Sequence, residues 1–191
     1  MSVRLTGGRH GGRVIATHAP SGVRPTAGKV RQALFNMIGQ DLSGWTVLDA
    51  FGGTGLLGFE AWSRGADRVT ICEKSAAAWR AIEASATALG ADVEIVRGDV
   101  ARILVGRAWD LVLVDPPYAI DPVPWLERLA PVARRVLALE HETKREMPDR
   151  IGETLTLDRQ RAYGTTTLSI YDVVDGSKGS PSVIAGATPG S

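Results

Sequence analysis

The chain has 191 residues, 44% apolar and 23% charged, which suits one globular domain with a sizeable core and a small appendage. Its one cysteine, Cys72, excludes an intramolecular disulfide and makes the cytoplasm the natural compartment, and the scattered His10, His18 and His141 argue against a dedicated zinc site. The net charge of +1 divides unevenly: residues 1–40 carry Arg4, Arg9, Arg13, Arg24, Lys29 and Arg31 with no acidic residue, so that segment is +6 and the remainder −5. A basic arm on a mildly acidic body points to an anionic partner, nucleic acid above all. No apolar run reaches membrane-spanning length, the N-terminus has no signal-peptide apolar core, and a monomer is the default expectation.

Residues 3–17 read as two short strands around a glycine-rich turn, followed by a loop with Pro20 and Pro25. Thr26 is placed to cap the next helix, in which Val30, Ala33, Leu34, Met37 and Ile38 share one face and Lys29 and Arg31 lie off it, free to meet a partner. From Trp45 strands and helices alternate. The spacing predicts a strand over 46–50, a helix over 55–64 closed by Gly65, and a second strand over 69–73. An Ala-rich helix runs from a Ser75 cap to Gly90, before a third strand over 93–99. The fourth strand, 110–115, has the unbroken apolar centre of a strand buried on both faces. A helix near 122–135 and a strand over 136–140 follow, then an antiparallel hairpin over 154–161 and 165–174. This alternation means a doubly wound α/β sheet, mostly parallel. The Gly/Ser/Pro-rich tail from Asp175 is expected to be disordered.

The loop after the first of these parallel strands reads Asp49-Ala50-Phe51-Gly52-Gly53-Thr54-Gly55, and Gly53, Gly55 and Gly58 form a GxGxxG string. Such a loop lies beyond the carboxyl end of its strand, where open sheets bind ligands, and its glycines allow close backbone approach. A dinucleotide and other adenosine-containing cofactors are equally served. Asp49 begins to separate them. A carboxylate at the mouth of the site repels a pyrophosphate and suits the ammonium and sulfonium of S-adenosylmethionine. Glu73 ends the second strand where ribose hydroxyls are bound in both cofactor classes, and Asp99, after Gly98, is placed to receive an adenine amino group.

Asp115-Pro116-Pro117-Tyr118, at the end of the buried fourth strand, decides more. An exocyclic base amine is a poor nucleophile because its lone pair is delocalised into the ring. Two acceptors aimed at its hydrogens, the Asp115 carboxylate and the Pro116 carbonyl, favour a pyramidal nitrogen, and Tyr118 offers a face for the base to stack on. Proline has no N–H to compete as a donor. The base must leave its stack to enter such a pocket.

This order of motifs, with the segments GGRVIAT, VRPTAGKVRQALFNMI and LDAFGGTGLLGFEAWSRGA, resembles the RsmD-type family of bacterial 16S ribosomal RNA methyltransferases. The resemblance implies a Rossmann-like class I methyltransferase fold with a seven-stranded, mostly parallel sheet and antiparallel C-terminal hairpin. It implies transfer from S-adenosylmethionine to a guanine 2-amino group of 16S rRNA in the small ribosomal subunit. Residues 1–40 would contact RNA through Arg4, Arg9, His10, Arg13, Arg24, Lys29 and Arg31, with 41–174 as the catalytic domain. Asp115, Pro116, Pro117 and Tyr118 would hold the base. Thr26, Asp49, Phe51, Gly52, Gly53, Gly55, Glu73, Lys74, Gly98, Asp99 and Val100 would hold the cofactor. The chain has Phe51-Gly52-Gly53 where Phe-Ala-Gly or a close relative is expected, and the tail from Asp175 is outside the pattern. A DNA amino-methyltransferase acting on adenine or cytosine is the competing reading, although 191 residues leave little room to read duplex sequence. A dinucleotide-dependent oxidoreductase has no use for Asp-Pro-Pro-Tyr, and a catalytically silent assembly factor does not need it.

Overall fold

A computed structural model describes residues 2–16 and 25–174, with side chains over 3–15 and 28–174. The 17–24 loop with Arg24, the Thr26 side chain and the tail from Asp175 lie outside the described residues. Strands β1 (Ser2–Arg4) and β2 (Val14–Ala16) pair as an antiparallel hairpin, and helix α1 (Pro25–Ile38) follows. The strand–helix region then runs β3 (Thr46–Asp49), α2 (Leu56–Ser63), β4 (Arg68–Glu73), α3 (Ala76–Leu89), β5 (Glu94–Arg97), β6 (Trp109–Val114), α4 (Val123–Leu129) and β7 (Ala133–Glu142). β8 (Arg150–Ile151), β9 (Leu155–Tyr163) and β10 (Thr166–Val173) complete the chain.

Among the described residues eight strands form the main sheet, in the order β5-β4-β3-β6-β7-β10-β9-β8. The first five are mutually parallel and the last three antiparallel. The doubly wound expectation holds, with two corrections. The sheet has one strand more than seven, because two-residue β8 is too short to leave a periodic signal. The helix expected near 122–135 is α4 alone, ending at Leu129, and a single 3₁₀ turn containing Pro131 separates it from β7. Proline has no N–H to continue the helical ladder, so the chain turns early and β7 begins at Ala133, three residues before the expected 136.

Alternation along the central strands divides the core into two layers. Val47, Leu111 and Leu113 face Phe59 of α2, Ile82 of α3, Leu34 and Phe35 of α1, and Leu5 and Ile15 of the hairpin. Leu48, Val112 and Val114 face Leu126 and Leu129 of α4. β6 is buried along its whole length, as its apolar run requires. The N-terminal elements therefore share the core of the main sheet.

Glu60 of α2 adds a polar tie. Fully buried, it accepts hydrogen bonds from Arg31 Nε of α1 at 2.7 Å and the Thr6 backbone N–H at 2.6 Å, and it pairs with Arg64. Arg31 also donates to the Arg4 carbonyl at 2.7 Å. Helical spacing alone leaves Arg31 free for a partner. In the fold it is instead 4% exposed and committed to this network. Removing one member of a buried charge network strands the others without compensation. Glu60→Ala should lower the unfolding free energy by about 3–5 kcal/mol, read as a fall in the urea midpoint; a drop below about 1 kcal/mol would contradict this role.

Candidate active site

The carboxyl ends of β3 to β6 open into a cavity of about 520 Å³. β3 leads into Ala50, Phe51 and Gly53; β4 and its end supply Cys72, Glu73 and Lys74; the turn after β5 supplies Gly98, Asp99 and Val100. Asp115, Pro116, Pro117 and Tyr118 follow β6 and close the remaining wall with Ile120 and Trp125.

Local chemistry explains why the loop takes this form. Gly53 and Gly55 have φ of 55° and 75°, the left-handed region that favours glycine. The Gly53 N–H donates to Glu73 Oε2 at 2.7 Å, and Ser75 N–H donates to Glu73 Oε1 at 2.5 Å, so one carboxylate fixes both the loop and the entry to α3. A Cβ on Gly52 would lie 2.8 Å from Ile71 Cγ2, and one on Gly58 2.5 Å from Ile71 Cγ1. Glycine at 52, the departure from Phe-Ala-Gly, thus lets the loop settle directly on β4. The same closeness accounts for the third glycine of the GxGxxG string, which packs α2 onto the sheet.

Asp49 does not face the mouth of the site. It is 1% exposed, beneath the loop, and accepts the Gly58 N–H at 3.0 Å. Gly58 has no side chain to hold α2 away, so the strand-end carboxylate tucks under the helix's first turn. Burial pushes its carboxyl up to about 7. Asp99 lines the cavity as expected, but also accepts the Ala101 N–H at 3.0 Å, capping a 3₁₀ turn; Lys74 Nζ lies 3.9 Å from its other oxygen. Burial pushes the Cys72 thiol up to about 12, leaving it a neutral wall residue.

Pro116 is buried, whereas the Tyr118 ring is 42% exposed, its hydroxyl 2.6 Å from Thr166 Oγ1 on β10. That bond fixes the ring while leaving a face accessible. A second cavity of about 280 Å³ shares Phe51, Gly53 and Asp115 with the first, and is otherwise walled by Arg31, Gly52, Thr54, Leu56, Leu57 and Glu140. Asp115 thus stands where the two cavities meet. Its carboxyl is pushed up to about 6 by burial, and that of Glu140 to about 8 by burial and then by the Asp115 charge, against the opposing pull of Arg31.

The basic arm is arranged differently from the sequence expectation. The hairpin turn packs against the C-terminal ends of α2 and α3: Arg9 N–H donates to the Ser63 carbonyl at 2.6 Å, and Arg13 donates to the Leu89 carbonyl at 2.9 Å. Both helices begin at the cavity end of the sheet, so these contacts lie at the far end. His10 is stacked on Trp62 with centroids 4.1 Å apart. His10 and, through its bond to Leu89, Arg13 serve the fold; Arg4, which also donates to the Gly12 carbonyl, Arg9, Arg13 and Lys29 are exposed.

Sequence reasoning missed Trp125 and Glu140. Trp125 meets the Phe51 ring edge-on at 5.3 Å, a contact between distant segments that no local spacing announces. Glu140 did carry a signal: it is an acidic residue at the end of the strand predicted over 136–140.

The family model described as Conserved hypothetical protein 95 matches residues 3–172. YlbH of Bacillus subtilis (strain 168) is 29% identical over 181 residues, covering 88% of this chain and 98% of the relative. Ribosomal RNA small subunit methyltransferase D of Escherichia coli (strain K12) is 29% identical over 177 residues, covering 88% and 89%. The solved structure of yhhF from Escherichia coli superposes with a TM-score of 0.77 at 27% identity, over 91% of this chain and 98% of that one. With the family match spanning nearly the whole described chain and the Asp-Pro-Pro-Tyr and glycine-loop motifs meeting in one site, the chain belongs to the Conserved hypothetical protein 95 family, the RsmD type.

Proposed function

We propose that this protein is an S-adenosylmethionine-dependent methyltransferase of ribosomal RNA, acting on the exocyclic 2-amino group of a guanine in the 16S rRNA of the small subunit. It would act as a cytoplasmic monomer. The observation that carries this reading is the position of Asp115 at the junction of two cavities, with Pro116, Pro117 and Tyr118 lining the larger. The larger cavity fits the cofactor: glycine backbone approaches closely, Glu73 and Asp99 present acceptors, and apart from Lys74 and Asp115 the wall is apolar or aromatic. The sulfonium of S-adenosylmethionine supplies an electrophilic methyl group. The name of the Escherichia coli relative favours ribosomal RNA over DNA as substrate.

The chain's own residues do the rest. The Asp115 carboxylate and Pro116 carbonyl accept the two amine hydrogens, so the nitrogen lone pair is withdrawn from ring conjugation and aimed at the cofactor side. Tyr118, held through Thr166, stacks the base. Catalysis then comes chiefly from orientation and electrostatics, and no strong general base is required. Arg4, Arg9 and Lys29 supply exposed charge for the phosphate backbone.

Labelled methyl transfer to small subunits, naked 16S rRNA and duplex DNA tests the reading: ribosomal substrates should be labelled, and label in DNA alone would overturn it. Asp115→Ala should lower kcat/KM by about 10²–10³-fold while cofactor affinity changes only a few-fold. An amine acceptor works only when ionised. The rate should therefore rise with pH between about 6 and about 8, the range of the Asp115–Glu140 pair, with Asp49 titrating in the same window, and then level off. A rate that falls over that range would contradict the assignment. Replacing Arg4, Arg9 and Lys29 by Gln should reduce the slope of log affinity against log salt by about 0.7–0.9 for each phosphate no longer neutralised; an unchanged slope would remove them from the interface.

A further inference from the structure

Glu140 is the acidic residue of the site that the mechanism above does not use. Leu139 pairs with Val114 across β7 and β6, so Asp115, the first residue beyond β6, stands beside Glu140 of β7. Both carboxylates line the second cavity with Arg31, and Glu140 also borders the Pro116 and Tyr118 side of the site. The other strand-end acids have backbone partners: Asp49 accepts from Gly58, Glu73 from Gly53 and Ser75, and Asp99 from Ala101. Among the described residues no hydrogen-bond donor meets the side-chain carboxylate of Asp115 or Glu140. Two adjacent, half-buried carboxylates that face a cavity with no donor from the protein are open to a ligand that brings N–H groups.

The bases differ at this point. Beside its exocyclic amine, guanine carries a ring N1–H. Adenine has a bare N1 lone pair next to its 6-amino group, and cytosine a bare N3 lone pair next to its 4-amino group. A carboxylate beside the amine acceptors attracts guanine's edge and repels the other two. We propose that Glu140 is the base-reading residue of this enzyme, its carboxylate accepting the N1–H of the target guanine while Asp115 and Pro116 hold the 2-amino group. The proposal rests on the methyltransferase reading above and supplies what Asp-Pro-Pro-Tyr lacks, since those four residues suit any exocyclic base amine. Arg31, anchored on Glu60, lines the same cavity, and its charge supports the ionised form of Glu140.

The test uses ribosomal RNA in which the methylated guanine, once mapped, is replaced by 2-aminopurine or 2,6-diaminopurine. Both retain the 2-amino group but carry a lone pair at N1. The wild-type enzyme should favour guanine over either analogue by about 100-fold or more in kcat/KM, because a site built around an N–H strongly rejects a base lacking it. Glu140→Gln, whose amide can donate to N1, should shrink that preference to within about tenfold and favour the analogues more than Glu140→Ala does. Cofactor affinity, measured by calorimetry, should stay within a few-fold in both variants, because Glu140 does not line the larger cavity. Wild-type enzyme that methylates 2-aminopurine RNA as fast as guanine RNA would overturn the proposal without any variant. So would variants that bind cofactor normally and keep the wild-type preference. Methyl transfer by the wild type to adenine or cytosine in place of guanine would overturn both this assignment and the guanine reading beneath it.

Discussion

The arrangement depends on one buried carboxylate. Glu60 lies on α2, the helix that the glycine loop initiates, and its two oxygens receive the Thr6 amide, Arg31 of α1 and Arg64. A charge taken out of water is tolerated only with its partners in place, so the hairpin, α1 and the catalytic sheet are held in one register. The Arg64 guanidinium also lies 4.3 Å from the centre of the Phe35 ring on α1, adding apolar contact to the ion pair. Arg31 extends this constraint into the site, because the residue that meets Glu60 also lines the cavity that holds Glu140 and Asp115. The N-terminal segment thus shapes the active site as well as adding charge to the surface.

The site itself follows from a repeated choice at the strand ends. Asp49, Glu73, Asp99 and Asp115 each stand at or just beyond the carboxyl end of a parallel strand, and Glu140 stands two residues before the end of β7. Three of them accept from the protein's own amides, Asp49 through one oxygen only, and this is what shapes the larger cavity: Asp49 seats α2, Glu73 holds the loop and Asp99 sets the turn after β5. The remaining two share the second cavity and raise their protonation range into the neutral region. Acidic residues of one chemistry therefore divide into those that build the cavity and those left to meet a ligand, and the division is set by which backbone amides lie within reach.

Much of this was legible in the sequence. Strand–helix alternation and the buried run of β6 specified the sheet, and Asp-Pro-Pro-Tyr at its end marked the reactive edge. The GxGxxG string was ambiguous for a physical reason: Gly58 serves packing against Ile71, which any cofactor class permits. Asp49 was located correctly along the chain and wrongly in depth, because helical spacing and strand alternation do not reveal how closely α2 lies on the sheet. The charge count of residues 1–40 was right in sum, but a count cannot tell an arginine facing solvent from one spent on a helix end or a buried carboxylate, as Arg13 and Arg31 are. Trp125 and the pairing of Glu140 with Asp115 arise from strand order, which appears only when β7 lies beside β6.

The central claim is that the amine nitrogen of a guanine, held by Asp115 and Pro116, receives the methyl group while its neighbouring ring nitrogen is held as a donor. The most direct measurement is nucleoside analysis of small-subunit RNA after reaction with methyl-labelled S-adenosylmethionine. The account predicts that the label appears in 2-methylguanosine. Label in 1-methylguanosine, or in a methylated adenosine or cytidine, would contradict it.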